Sequence, residues 1–370
     1  MQLGPCRCRS LFPGLHTSAS NQTERRETSM DLDTRPILFV VGTPRSGTSL
    51  LQTLLVCHPE ATPIPESYVF ADLTPTIGRA DGLPPLLRRA IPETLSVQAA
   101  ERHLAGLKNR RPPPDLDWGQ LIRASMASGQ VHTGQLIQRF LAAYATANTR
   151  LLIEKTPAHL YFIDEIRRIL PQAQFIQIVR DPRAVVYSFA EMIRSARNES
   201  APLYGLARAW RTGVETGRRQ GIPFVRYEDL VRDPHAVIMP IAERLNLNFP
   251  ARYLEQQSRV SDQTRPSEDQ WNMQTRQPIT QQRIHRYRDH LATDDVRLVE
   301  TICAKELARY GYERTESPLS SHRVRREQIT FMTGRVMKGI QQLRRKLAAR
   351  IRHSQIARLH PTPFTSDRRS

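Results

Sequence analysis

The stretch Pro36-Ile37-Leu38-Phe39-Val40-Val41-Gly42-Thr43-Pro44-Arg45-Ser46-Gly47-Thr48-Ser49-Leu50-Leu51 decides how the chain is read. Ile37 to Val41 is an unbroken apolar run, the pattern of a strand buried on both faces. Gly42 to Gly47 supplies the residues of a sharp reversal. From Thr48 onward Leu50, Leu51, Leu54 and Leu55 recur in helical rhythm. Strand, tight loop and helix in that order make an anion cradle. The amides of the loop and first helical turn have no intrahelical acceptor and point at whatever sits there.

The spacing approaches the phosphate-loop pattern G-x-x-x-x-G-K-[ST]. Gly42 and Gly47 are in place and Ser49 holds the hydroxyl position, but Thr48 stands where the lysine belongs, and the loop's basic side chain is Arg45. In a triphosphatase that lysine reaches the β- and γ-phosphates and the hydroxyl holds magnesium. Its absence argues against a metal-dependent triphosphate site, so a P-loop nucleotide kinase or triphosphatase is the weaker alternative. The phosphate cradle survives the loss. A βα turn with no ligand is the bland reading, and the rest of the chain weighs against it.

The net charge of the 370 residues is +18. It is concentrated: Glu316 to Ser370 holds thirteen Lys/Arg against three Asp/Glu. A basic body suits an anionic ligand, and a basic tail suits an anionic surface or is simply solvated. A non-catalytic basic protein binding nucleotides or nucleic acid is the second alternative. Because the charge lies mostly in the tail, no specific nucleic acid is expected as a partner. The four cysteines, Cys6, Cys8, Cys57 and Cys303, are too few for a disulfide framework. No apolar run approaches the roughly 18–20 residues of a membrane span. A cytoplasmic location without a transmembrane anchor is expected on both grounds. No metal site is read.

Three regions are expected: a disordered leader over 1–35, a folded domain over 36–315 and a basic amphipathic tail over 316–370. The leader lacks apolar periodicity and is either unfolded or an overextended start before Met30. Within the domain, short apolar runs alternate with helical patterns. Strands are read at Leu151-Leu152-Ile153, at Gln174 to Val179 and at Pro223-Phe224-Val225, each followed by a helix. Ala61 to Pro65 reads as an extended loop, and 67–149 as a helical insertion covering a site rather than part of the sheet. Helices are expected at Ala158–Leu170, 281–291 and 293–309, and a long loop or lid over 256–282 carries the isolated Trp271. The fold class is therefore α/β: a three-layer, P-loop-type parallel sheet flanked by helices, with helical insertions over the site. Ligands of such folds sit beyond the carboxyl ends of the strands. Arg45, Lys155, Arg180 and Arg226 follow the four strand candidates and are expected to converge on one anionic site. In the tail, Val336, Ile340, Leu343, Leu347 and Ile351 form an apolar stripe among Lys and Arg. Membrane-surface docking, self-association in a homodimer and packing on its own domain are the readings it leaves open.

Two motifs together resemble the sulfotransferases that use 3′-phosphoadenosine 5′-phosphosulfate. Gly42-Thr43-Pro44-Arg45-Ser46-Gly47-Thr48-Ser49 is similar to their 5′-phosphosulfate loop, and Ile178-Val179-Arg180-Asp181-Pro182-Arg183-Ala184-Val185-Val186-Tyr187-Ser188 to their 3′-phosphate motif, about 135 residues later. Arg226-Tyr227-Glu228-Asp229-Leu230 and Arg309-Tyr310-Gly311-Tyr312 are weaker supporting matches, and the resemblance covers roughly 36–315. It looks closest to the branch holding tyrosylprotein sulfotransferases and bacterial relatives. There the first helix runs into a His-Pro dipeptide with a glutamate base a few residues on, as His58-Pro59 and Glu66 stand here. The resemblance implies transfer of a sulfuryl group to an acceptor hydroxyl on a protein tyrosine, a glycan or a small alcohol or phenol. It implies no metal. Glu66 would be the base, Lys155 the residue at the bridging oxygen, and Arg45, Ser46, Gly47, Thr48 and Ser49 the 5′ cradle. Arg180 and Ser188 would hold the 3′-phosphate, with Tyr227 and Arg276 closing on the nucleotide. Read on its own residues, Glu66 is sooner a cap or a solvated acid, and Lys155 can equally be a partner of Glu154 or a solvated cation.

Overall fold

The computed structural model describes residues 35–334, apart from 74–75, 78–86, 89–90, 109–111, 114, 199–200, 259, 261–277 and 316. At its centre are five strands: β1 (Ile37–Gly42), β2 (Ala61–Ile64), β3 (Leu151–Glu154), β4 (Ala173–Val179) and β5 (Phe224–Arg226). They lie side by side in the order β5-β4-β1-β3-β2, and every pairing is parallel. β1 is central because both of its edges are used: Phe39 is level with Glu154 of β3 on one side and Phe175 of β4 on the other. Its side chains alternate between faces as the pleat requires. Ile37, Phe39 and Val41 enter one apolar cluster, and Leu38 and Val40 enter another.

Helices fill both faces. α1 (Thr48–Leu55) follows the β1 loop, and α2 (Val69–Leu73) follows β2. α3 (Val97–Lys108), α4 (Trp118–Ala124) and α5 (Thr133–Ala142) come before β3, and α6 (Ile163–Ile169) after it. α7 (Pro182–Arg197) and α8 (Leu203–Arg219) lie between β4 and β5, followed by α9 (Tyr227–Arg232), α10 (Pro234–Arg244), α11 (Thr293–Ile302) and α12 (Ala304–Arg309). Leu104, Leu121, Phe140 and Ile166 of α3 to α6 pack with Ile37 and Phe39 on one face. Leu51, Leu54, Leu230 and Ile241 of α1, α9 and α10 pack with Leu38 and Val40 on the other. This is the three-layer parallel α/β architecture expected of the pattern.

Several expectations need correcting. Ala61–Ile64 is a sheet strand, not a loop: it pairs with Leu151–Glu154 at the sheet edge, where Pro63 costs no ladder bond that a further strand would need. The block 67–149 adds no strand to the five-stranded sheet, as expected; the apolar faces of its described helices bury against β1, and it also carries short antiparallel ribbons at 94–95, 126–127 and 130–132. Pro157 starts a 3-10 turn, Pro157–Tyr161, so the helix expected from Ala158 begins at Ile163. The expected 281–291 helix is two 3-10 turns, Gln281–Arg283 and Arg286–Asp289, and the 293–309 helix breaks at Cys303. The tail is helical over 321–334, and Phe331 packs on Tyr204. The leader, Trp271, Arg276 and the stripe from Val336 to Ile351 lie outside the described residues.

Candidate active site

The carboxyl ends of parallel strands open on the same side, and three of them carry the site. After β1 the chain turns through Thr43 to Ser46, whose amide donates to the Thr43 carbonyl at 3.1 Å. Their hydroxyls meet at 2.5 Å, which buries both side chains and fixes the loop. Arg45 (φ 73°) and Gly47 (φ 101°) are both left-handed. At Gly47 that conformation is combined with a lack of space, because an added Cβ would lie 2.5 Å from the Tyr227 ring. Gly47 is also the N-cap of α1 and offers no side-chain acceptor to the first-turn amides. An eight-residue helix thus begins with its donors unclaimed by any cap, next to an arginine.

The second motif closes on the first from β4 and α7. Arg45 Nε donates to Ser188 Oγ at 3.1 Å, joining residues 143 apart in sequence. Arg180 donates from Nη1 to the Arg45 carbonyl at 3.2 Å and from Nη2 to the Arg283 carbonyl at 3.0 Å. Its guanidinium stacks on Tyr227, 4.2 Å from the ring centre. Arg180 Nε is buried with no hydrogen-bond partner among the described residues. A buried donor of this kind is costly unless something else accepts from it. A ligand oxygen that accepts a hydrogen bond would satisfy it. Arg226 is not part of this convergence. It stacks on Tyr312, 4.6 Å from the ring centre, and reaches the Gly311 carbonyl at 3.5 Å. β5 lies one strand further from β1, and the chain's return past Tyr312 claims the side chain first.

The third strand end, after β3, carries Lys155. Its side chain is 3 % exposed and its ammonium meets Glu66 Oε1 at 2.5 Å. The hydrogen bonds of the neighbouring Glu154 run elsewhere. Glu154 is fully buried and accepts from Ser67 Oγ, Thr156 Oγ1, the Thr156 amide and His159 Nδ1 at 2.6–3.0 Å. Glu66 Oε2 accepts from Tyr68 Oη at 3.0 Å. Two residues missed in the sequence therefore belong here. Tyr68 carried no signal beyond its nearness to Glu66, and Thr156 none beyond its place in Glu154-Lys155-Thr156-Pro157. Among the described residues, no group of three His, Cys, Asp or Glu side chains is placed to hold a metal ion. No helix among them is long and apolar enough to cross a membrane.

Comparison with known proteins bears on the family and the fold. The model of the sulfotransferase family matches residues 36–251. The protein-tyrosine sulfotransferase 2 of Gallus gallus is 24 % identical over 295 residues, covering 76 % of this chain and 71 % of that protein. The nodulation protein NoeE of Sinorhizobium fredii is 30 % identical over 161 residues, 43 % of this chain but only 32 % of that protein. Among solved structures, the sulfotransferase domain of the Synechococcus PCC 7002 olefin synthase superposes with a TM-score of 0.50 at 23 % identity, covering 75 % of this chain and 95 % of that one. The chain belongs to the sulfotransferase family and is a transferase of sulfuryl groups.

Proposed function

We propose that this sulfotransferase takes its sulfuryl group from 3′-phosphoadenosine 5′-phosphosulfate and passes it to a hydroxyl activated by Glu66. The observation that carries the reading is the interlock of the two loops, in which Arg45 bonds Ser188 and Arg180 bonds the Arg45 carbonyl. Two separate anion holders within one hydrogen-bonded unit suit a donor that carries a 5′-phosphosulfate and a 3′-phosphate. The donor supplies the sulfuryl group and departs as adenosine 3′,5′-bisphosphate.

The chain's residues divide the remaining work. Arg45 and the amides of Gly47, Thr48 and Ser49 hold the 5′ end, while Ser46 shapes the loop because its amide is already taken by the Thr43 carbonyl; Arg180 and Ser188 hold the 3′-phosphate, with the Tyr227 ring as floor. Arginine suits this because its planar fork pairs phosphate oxygens two at a time. Lys155 holds positive charge where the bridging oxygen becomes anionic, and Glu66 takes the acceptor's proton. The reaction resembles phosphoryl transfer in needing alignment and charge neutralisation more than covalent help. The names of the relatives support trying a tyrosine acceptor before glycans and small alcohols. Cys57 and Cys303, both buried and unbridged, support a reducing compartment.

Glu66→Ala tests the reading. Transfer from labelled donor should fall by about 10²- to 10⁴-fold, the usual contribution of a general base, while adenosine 3′,5′-bisphosphate binds as before. Turnover close to that of the unaltered enzyme would remove Glu66 from the mechanism.

A further inference from the structure

Lys155 and Tyr68 together fix both oxygens of Glu66, and neither is held there by its own segment alone. Tyr68 has a left-handed backbone (φ 53°), which a residue with a bulky side chain adopts only when its surroundings enforce it. The enforcement comes from the end of the neighbouring strand, β3. Thr156 Oγ1 accepts from the Ser67 amide at 3.0 Å and from the Tyr68 amide at 3.4 Å. Thr156 Oγ1 donates its own proton to Glu154 Oε1 at 2.6 Å, and Ser67 Oγ donates to the same oxygen at 3.0 Å. The residues after β2 are thus tied to the end of β3 by a chain that terminates on one buried carboxylate.

That carboxylate has no route to substrate, being fully buried behind Ser67 and Thr156. A buried charge is a poor way to gain stability, since apolar residues of similar volume commonly do as well. It is a good way to impose one geometry, because four donors converge on two oxygens and each fixes a direction. Glu154 and Lys155 are consecutive, so the strand end that sets the ammonium also sets, through Thr156, the loop bearing Glu66.

We propose that Glu154, acting through Thr156 and Ser67, is the positioning residue that holds Glu66 against Lys155 in the geometry for proton abstraction. This rests on Glu66 being the base, and the test separates the two ideas. Thr156→Val removes the hydroxyl that links Glu154 to the Ser67 and Tyr68 amides while keeping the side chain's volume, and Thr156→Ser restores the hydroxyl. Steady-state transfer by Thr156→Val should show kcat reduced at least tenfold with the donor's KM nearly unchanged, and Thr156→Ser should recover most of that loss. Glu154→Gln should behave as Thr156→Val does, with circular dichroism and thermal melting reporting whether it folds. Equal kcat in the Val and Ser variants would overturn the proposal, as would a loss in Thr156→Val that Ser does not repair. Glu66→Gln, assayed alongside, isolates the premise: if it retains turnover, the base assignment fails, whatever the Thr156 variants do.

Discussion

Arg180 and Arg183 begin the same β4–α7 turn and end in opposite surroundings. Arg183 is 4 % exposed and closed off by its own protein: its guanidinium takes Asp181 at 2.7 Å and Glu300 at 2.5 Å. Burial alone would make it easier to deprotonate, but the hydrogen bond and charge of Asp181, with Glu300 behind, hold it above its ordinary value. Arg180 meets two carbonyls and an aromatic face, and among the described residues no ion pair joins it to a carboxylate and its Nε is left over. Position decides the difference. α7 turns Arg183 back toward α11, while Arg180 precedes the helix and faces the β1 loop. A charged group surrounded by carboxylates is finished, whereas one surrounded by carbonyl oxygens still has its charge to spend. The motif Arg180-Asp181-Pro182-Arg183 therefore divides into an open arginine, facing carbonyls and a ring, and one that secures the turn.

The sharpest way to break this contrast is to remove the closed member. Arg183→Ala would leave Asp181 and Glu300 as buried carboxylates without their cation, and breaking a buried pair in this way costs about 3–5 kcal/mol. Urea unfolding should show that loss. An unchanged midpoint would mean that Arg183 holds nothing, and the division would collapse.

The open member should behave in the reverse manner. Arg180→Ala removes a charge-assisted hydrogen bond to the proposed 3′-phosphate, worth about 1.5–3 kcal/mol. Calorimetry should show adenosine 3′,5′-bisphosphate bound roughly 10- to 150-fold more weakly, with a far smaller change in the urea midpoint than Arg183→Ala gives. Unchanged nucleotide affinity would refute the 3′-phosphate role.

The contrast also shows what the sequence could and could not convey. The central strand was legible because Ile37–Val41 is apolar at every position, and all five residues are buried. Ala61–Ile64 was not, because an edge strand needs neither an unbroken apolar run nor the amide that Pro63 lacks. The cradle was legible because its glycines, hydroxyls and Arg45 are consecutive in sequence. The Glu66–Lys155 contact joins residues 89 apart, and the sequence marks each of them only separately. That Glu154 and Lys155 point to opposite sides follows from the pleat, but the partners they meet there, Thr156 and His159 for one and Glu66 for the other, could not be read locally. Arg226 followed its strand as Arg180 did, but the return of Tyr312 from 86 residues further on cannot be read from that spacing.

The smallest effect lies at the other end of α1, where His58 is a closed polar group of a different kind. It is 4 % exposed, its Nδ1 accepts from the Glu60 amide at 3.2 Å, and its Nε2 lies 3.1 Å from the Asn248 carbonyl. One ring nitrogen accepting and the other donating requires the neutral ring. Burial pushes its pKa below 6.5, and the Asn248 carbonyl only partly opposes this. Below pH 6.5 the unfolded chain therefore takes up a proton before the folded one does. The stabilisation is complete above about pH 6.5 and is lost as the pH falls through the folded value. His58→Gln keeps a donor at about the same reach but does not titrate, and should cost about 1 kcal/mol at pH 7.5 for its imperfect hydrogen bonds. Urea titrations at pH 7.5 and 5.5 should then show the unaltered protein losing more stability on acidification than the variant. His285, whose pKa burial also lowers, is present in both proteins and cancels in the difference. Parallel losses would show that the ring at position 58 is open to protonation, placing His58 with Arg180 rather than with Arg183.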